Sequence, residues 1–335
     1  MSYKALALQL TCQTVNSCKN RDEAEAVMLK TIERIEQQIA ASVGLLGRET
    51  LLIVTPEHFL SGPPVHETVE QWRAKAALEI DGPIYEAISA MVQRQQIYFS
   101  GNVYEQDSFF PELYFQTSFV MGPNGDVLLR YRRLNALFIP TPHDVWDLYL
   151  DAYGYDSLFP VVKTNIGNLA CIASEDIVYP EVARCLSMRG SEVLIHSTSE
   201  GGSPLMTQKN IAKIARAAEN MAYVVSANSG GLSGSPIPGG TTDGGSKIID
   251  PKGLILAEAA YGESIMANAD IDLAALREFR QRPAIGNLLA RQRFELYAES
   301  YAQHSIYPPD TLLGQPAERQ HFLRTQQEVI KKLYN

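Results

Sequence analysis

Cysteine is scarce in this 335-residue chain, and the few present form no pattern. Cys12, Cys18, Cys171 and Cys185 include no CxxC pair. That argues against a disulfide framework and fits reduced thiols in a cytoplasmic protein. Histidine is nearly as sparse. The six His residues show no zinc spacing, His58 and the His143-Asp144 pair stand isolated, and no metal is expected. Positive charge is in deficit too. A net charge of −9 leaves no clustered Lys and Arg to neutralise phosphates, so nucleic acid is not an expected partner. No apolar run reaches the roughly 18–20 residues of a membrane-spanning helix. The opening MSYKALALQLTCQTV lacks a signal-peptide cleavage pattern and reads as a first strand, so no membrane partner is expected either. GxxxxGK[ST] is missing, as is GxGxxG after a strand, so nothing calls for a nucleotide or other cofactor.

What remains is a soluble, enzyme-sized composition. Hydrophobic residues make up 45% and charged residues 20%, enough to bury a large core. Alternation predicts a strand over Tyr3–Leu10. Asn20 and Glu23 resemble a capped helix start, and Met28, Ile32, Ile35 and Ile39 continue at helical spacing. LLIVTPE (51–57) is an apolar strand ending at Pro56-Glu57, and IYFSGNVYE (97–105) is another. Two strand-like runs flank Gly122-Pro123-Asn124-Gly125, a hairpin signal, because Gly and Asn tolerate positive φ. A second strand–helix series follows: ACIAS, a helix from about Tyr179 to Arg189, EVLIHS, a helix from about Thr207 to Asn220, and YVVSANS. A further hairpin turns at Asp250-Pro251-Lys252-Gly253, and the tail from Ile271 is mostly helical. The pattern occurs about twice without a linker, which predicts two sheets with helices outside them in one domain. The Gly/Ser/Pro stretch at 229–246 is long for a plain connection and is expected to border a ligand site; Gly239-Gly240 reads as loop glycine.

Three strand ends carry candidate chemistry. Glu57 closes an apolar strand, where partial burial raises a carboxyl pKa toward that of a useful base; a solvated loop acid is the bland reading. Arg130, Arg132 and Arg133 close a hairpin strand. Alternation puts Arg132 and Arg133 on opposite faces, so only one is expected to face a pocket, there to bind a carboxylate or stabilise negative charge. In ACIASEDIVYPEVAR (170–184), Ser174 ends a strand just before a helix. Backbone N–H groups at such a place suit an oxyanion, yet Ser is also a routine turn residue. Cys171 lies three residues earlier, on the other face of a regular strand, and reads as a small core residue.

The order of motifs resembles the nitrilase, or carbon–nitrogen hydrolase, superfamily over roughly residues 3–300. The resemblance rests on ALALQL with Gln9, LLIVTPEHFLSG, GPNGDVLLRYRRL, IGNLACIASEDIVYPEVARCLSMRGSEVLIHSTSE, RAAENMAYVVSANSGG and GGSKIIDPKGLILAEA. It implies an α/β fold of the αββα four-layer sandwich type, two mixed sheets with outer helices, spanning 1–300 with a helical extension over 301–335. It also implies a homodimer or higher oligomer, with the helix from about Tyr179 to Arg189 and the tail segment 291–303 as dimer surfaces. Members use Glu as base, Lys as transition-state stabiliser and Cys as nucleophile, commonly with a second Glu. By motif, Glu57 matches the base, Arg133 stands at the lysine position and Ser174 at the cysteine position. Asp144 in PTPHDVWD is the best match for the second acid. Glu175, His143, Trp146 and Tyr149 are expected around oxyanion and substrate, with Tyr153 beside them; packing of the Asp144 loop is the competing role for these aromatics.

The departures matter chemically. A serine hydroxyl is far less acidic than a thiol and needs a well-placed base. Arginine keeps the charge but does not readily pass on a proton. Three readings stand at this stage. One is a hydrolase of an amide, nitrile or related C–N bond, in which Glu57 activates Ser174 and Arg133 with the Glu175 N–H holds the oxyanion. Another is the same pocket doing cyclisation, condensation or dehydration, with Arg133 clamping a substrate carboxylate. The third is a ligand-binding protein without catalysis. The expected partner in each is a small carboxylate- or amide-bearing molecule.

Overall fold

The computed structural model describes residues 2–201, 206–238 and 242–334. Its strands are β1 (Ser2–Ala7), β2 (Thr11–Gln13), β3 (Thr50–Val54), β4 (Tyr98–Gln106), β5 (Tyr114–Met121), β6 (Val127–Arg132), β7 (Val162–Thr164), β8 (Gly167–Ala173), β9 (Val193–Thr198), β10 (Tyr223–Asn228), β11 (Gly231–Ser233), β12 (Lys247–Ile249), β13 (Ile255–Glu258) and β14 (Asn268–Asp272). Its helices are α1 (Arg21–Leu46), α2 (Val69–Ala76), α3 (Pro83–Gln95), α4 (Trp146–Tyr153), α5 (Pro180–Met188), α6 (Gln208–Asn220), α7 (Leu273–Gln281), α8 (Glu295–Gln303) and α9 (Arg319–Tyr334). Gly239-Gly240 lies outside the described residues.

Two six-stranded mixed sheets, ordered β14-β1-β3-β4-β5-β6 and β13-β12-β10-β9-β8-β7, pack face to face. The period of two along β1 shows why they do. Tyr3, Ala5 and Ala7 point into the core shared with Leu169–Ala173 of β8 and Val193–Ile195 of β9, while Leu6 turns to the opposite face, against α1 and α3. Helices α5 and α6 cover the outer face of the second sheet. This is the αββα sandwich implied by the motif order.

Local signals explain the element ends. Asn20 caps α1, its side chain accepting the Glu23 N–H at 3.0 Å, while Glu23 reaches back to the Lys19 N–H rather than to Asn20. The hairpin closes as the glycines require: Gly122 N–H donates to Asp126 O, Gly125 N–H donates to Gly122 O, and Gly125 has φ +85. Residues beyond 300 are tied back to the sandwich. Leu312 and Phe322 share a small core with Tyr149 and Phe115. Among the described residues no helix is long and apolar enough to cross a membrane.

Candidate active site

Sheet register sorts the arginines. Tyr131 pairs with Ser118 and Arg132 with Thr117, so adjacent β6 residues face opposite ways. Arg132 turns outward, ion-paired to Asp107 and lying over the rings of Phe115, Tyr149 and Tyr153. Arg133, next in line, turns inward. Its Nη1 donates to Glu57 Oε1 at 3.2 Å and to Gln116 Oε1 at 2.8 Å. Nε donates to Asn135 O at 2.8 Å, and Nη2 to the half-exposed Glu175 carboxylate at 2.5 Å. This guanidinium is thus occupied by protein groups, two of them carboxylates. Burial opposes its charge, but Glu57, Glu175 and Asp176 outweigh that and push its pKa up.

Glu57 is buried, and donors surround it. Oε1 accepts from Gln116 Nε2 at 2.7 Å as well as from Arg133, and Oε2 accepts the Ser199 N–H at 2.9 Å. Burial works to raise its pKa. Arg133, Lys209 and the Gln116 amide are among the groups that reverse the sign and hold it at about 2. The expectation of a raised pKa is therefore corrected. A strand-end glutamate looked simply desolvated in sequence, but the cations and amide that meet it come from distant segments.

Ser174 follows β8 in a left-handed conformation, φ +49, uncommon for a non-glycine residue. Its carbonyl receives a hydrogen bond from His196 Nε2 at 2.9 Å, which fixes that nitrogen as the donor, so Nδ1 accepts from the Ser226 hydroxyl at 2.8 Å. Burial, reinforced by Lys213, lowers the His196 pKa to about 3 and keeps the ring neutral. Nearby, Asp176 gathers Tyr131 Oη at 2.6 Å, the Leu134 N–H at 2.9 Å and the Asn135 N–H at 2.8 Å. It ties the turn after β8 to the end of β6, which sets Arg133 beside the serine loop.

The group on the Ser174 hydroxyl is Lys209. Its Nζ donates to Ser174 Oγ at 3.0 Å and to Thr198 Oγ1 at 3.2 Å. Glu57, expected to activate Ser174, makes no hydrogen bond to it among the described residues. Lys209 is the second residue of α6, after Thr207, whose side chain accepts the Asn210 N–H at 3.1 Å. A cation in the first turn faces the positive end of the helix dipole, a placement that lowers helix stability by roughly 0.3–1 kcal/mol. One turn on, the fully buried Lys213 pairs with Glu200, and burial lowers its pKa to about 8. Sequence reading missed Lys209. The usable signal was a lysine in the first helical turn, two residues after a threonine cap, where an acid is the favoured residue.

The remaining candidates fall elsewhere. Asp144 accepts from Thr141 N at 2.9 Å, Thr141 Oγ1 at 2.7 Å and Thr311 Oγ1 at 2.8 Å, so it closes a capping box and anchors the C-terminal segment. His143 tilts against Trp146 and Tyr307. Tyr149 is buried among Phe110, Phe115 and Tyr153. None of these four shares a hydrogen bond with Glu57, Arg133 or Ser174 among the described residues. The loop packs through them, the competing role noted for its aromatics. Cys171 is fully buried against Ser100, and burial raises its thiol pKa to about 12, which leaves it a core residue. Of the 229–246 stretch, Ser229 reaches the site's edge: its Oγ is 3.1 Å from that of Ser199, whose N–H holds Glu57. Among the described residues no group of three or more His, Cys, Asp or Glu is placed to hold a metal ion.

Comparison with known proteins agrees with this arrangement of elements. Residues 12–281 match the family model described as carbon-nitrogen hydrolase. The chain is 28% identical over 289 residues to a deaminated glutathione amidase of Synechocystis, covering 84% of this chain and 95% of that protein. It is 27% identical over 227 residues to an omega-amidase of Xenopus tropicalis, covering 66% and 77%. Among solved structures, a carbon-nitrogen hydrolase from Helicobacter pylori superposes with a TM-score of 0.69 at 21% identity, covering 91% of this chain and all of that one. Nit3 of Saccharomyces cerevisiae does so with a TM-score of 0.64 at 18% identity, covering 84% and 93%.

Proposed function

We propose that this chain, which belongs to the carbon-nitrogen hydrolase family, hydrolyses the amide of a small molecule through Ser174, with Lys209 as the proton carrier. The observation that supports this most strongly is the 3.0 Å contact between Lys209 Nζ and Ser174 Oγ. Serine needs a partner for its proton, and an amine within hydrogen-bond reach is a workable one when unprotonated. As Oγ bonds to the amide carbon, its proton passes to Nζ. As the C–N bond breaks, Nζ returns that proton to the leaving nitrogen. Water then attacks the acyl-serine, gives a proton to Nζ, and Ser174 Oγ recovers it as the acid leaves.

Glu57 and Arg133 frame this step rather than carrying its proton. A carboxylate held at about 2 is a weak base, and a guanidinium engaged by two carboxylates has little left for a substrate carboxylate. That weighs against the clamp reading. The amidases among the relatives favour an amide over a nitrile. In this reading residues 1–300 form the hydrolase unit, 301–335 an extension on it, and the molecule works as a homodimer or larger assembly in the cytoplasm.

The test is turnover of a panel of small ω-amides. Ser174→Ala is expected to abolish hydrolysis. Lys209→Ala is expected to cut kcat/KM by about 10²–10⁴, and Lys209→Arg not to restore it. The low basicity of Glu57 favours one second reading, a ligand-binding protein without catalysis. Binding of an amide by the wild-type chain with no product formed selects it.

A further inference from the structure

His58 follows Glu57 and takes no part in the steps above. Its side chain is 7% exposed, and neither ring nitrogen has a hydrogen-bond partner among the described residues. The Glu57 carboxylate is the nearest charged group recorded against it, with Oε1 3.9 Å from Nδ1, beyond hydrogen-bond length. Leaving buried polar atoms unsatisfied costs about 1–3 kcal/mol, so a site that keeps them without a function is unusual.

The ring is also held firmly. His58 has φ +38, in the left-handed region. Its N–H donates to Asn102 Oδ1 at 3.1 Å, and its carbonyl accepts from Ser61 N at 3.2 Å and Gly62 N at 2.9 Å. The imidazole stacks on Tyr104 with centroids 6.2 Å apart and planes 6° from parallel. Tyr104 pairs in register with Gln116, the residue that binds Glu57, so the ring lies over the same inner face of the sheet. A strained residue fixed from several sides, with two free polar atoms, is pre-organised for something absent from the protein itself.

A neutral imidazole presents one donor and one acceptor. Burial, the largest influence on this one, favours the neutral form. The Glu57 carboxylate alongside repels an anion. We propose that His58 is a specificity-determining residue whose imidazole binds an uncharged donor–acceptor group, a second carboxamide or a hydroxyl, on the substrate. This rests on the amide-hydrolase reading above.

The test compares short diamides, malonamide to glutaramide, with alkyl amides in which an isopropyl group replaces the second carboxamide. The readout is the ratio of kcat/KM between the members of each pair. Wild type is expected to favour the diamide. His58→Gly removes the ring without backbone strain and is expected to reduce that ratio about 10- to 100-fold. His58→Gln, which keeps a donor and an acceptor, is expected to retain part of it. A wild-type ratio near one, or a ratio unchanged in His58→Gly, overturns the proposal. A parallel calorimetric arm measures binding of the same pairs to Ser174→Ala and to Ser174→Ala/His58→Gly. Preference for the diamide in the first and its loss in the second supports the proposal even if wild type shows no turnover, an outcome that would sink the hydrolase reading alone. Equal preference in the two variants overturns it by the binding route.

Discussion

Replacing Arg133 by Ala would strand the buried Glu57 carboxylate without its ion-pair partner. The expected loss is about 3–5 kcal/mol in urea unfolding, far above the near-zero effect of an exposed pair. Acid titration probes the same residues. The folded pKa of Glu57 is depressed, to about 2 from 4.5. Its stabilising contribution is present above pH 4.5 and disappears as pH falls through 2. The His196 pKa is also depressed, to about 3 from 6.5. Its contribution is full above pH 6.5 and erodes below it, because the buried neutral ring must take up charge. Stability measured by urea titration at a series of pH values should therefore begin to fall near 6.5. Glu57→Gln should flatten the loss between 4.5 and 2 and leave the earlier part in place; an unchanged profile contradicts the ionised Glu57 described here. At this scale the sequence exposed some residues and hid others. Glu57, Arg133 and Ser174 were legible because each closes a recognisable apolar strand. Lys209 and His58 were not, since one resembles an ordinary helix lysine and the other a lone histidine, and their meaning lies in contacts made across the fold.

Helix α6 is the element on which the proposed chemistry turns. Its N-terminus sets Lys209 over Ser174, and Thr207 caps that end. Thr207→Ala is expected to lower stability by about 0.5–2 kcal/mol and to lower kcat more than it raises KM, because the lysine is displaced while the other walls stay. A variant that loses stability but keeps kcat would detach the cap from the chemistry. Most elements were readable from period and caps: α1 from Asn20 and its apolar spacing, the β5–β6 hairpin from its glycines. The Asp144 segment shows the limit. Thr141-Pro142-His143-Asp144 carries the Thr-x-x-acid spacing of a helix start, and the structure uses it so. Motif order alone gave no means of telling a capping acid from a catalytic one.

For the whole molecule, two sheets sharing one core bring the ends of β3, β6 and β8 together, which explains how residues so distant in sequence meet. Two sheets with helices outside them were legible because the strand–helix–hairpin pattern occurs about twice without a linker, and the resemblance of motif order made that an αββα sandwich. The way 301–335 packs was not, since it depends on Leu312 and Phe322 finding the ring cluster around Tyr149. Helix α8 buries none of its residues and exposes Leu296, Tyr297 and Tyr301, which keeps the tail a candidate for contact between copies. The proposed chemistry depends on one oxygen atom, Ser174 Oγ. Rapid quenching of the enzyme during amide turnover, followed by intact-mass measurement and peptide mapping, tests it most directly. An added acyl mass is expected on the peptide containing Ser174, absent from Ser174→Ala. Product formed at an undiminished rate by Ser174→Ala, with no acylated peptide in either protein, would contradict it.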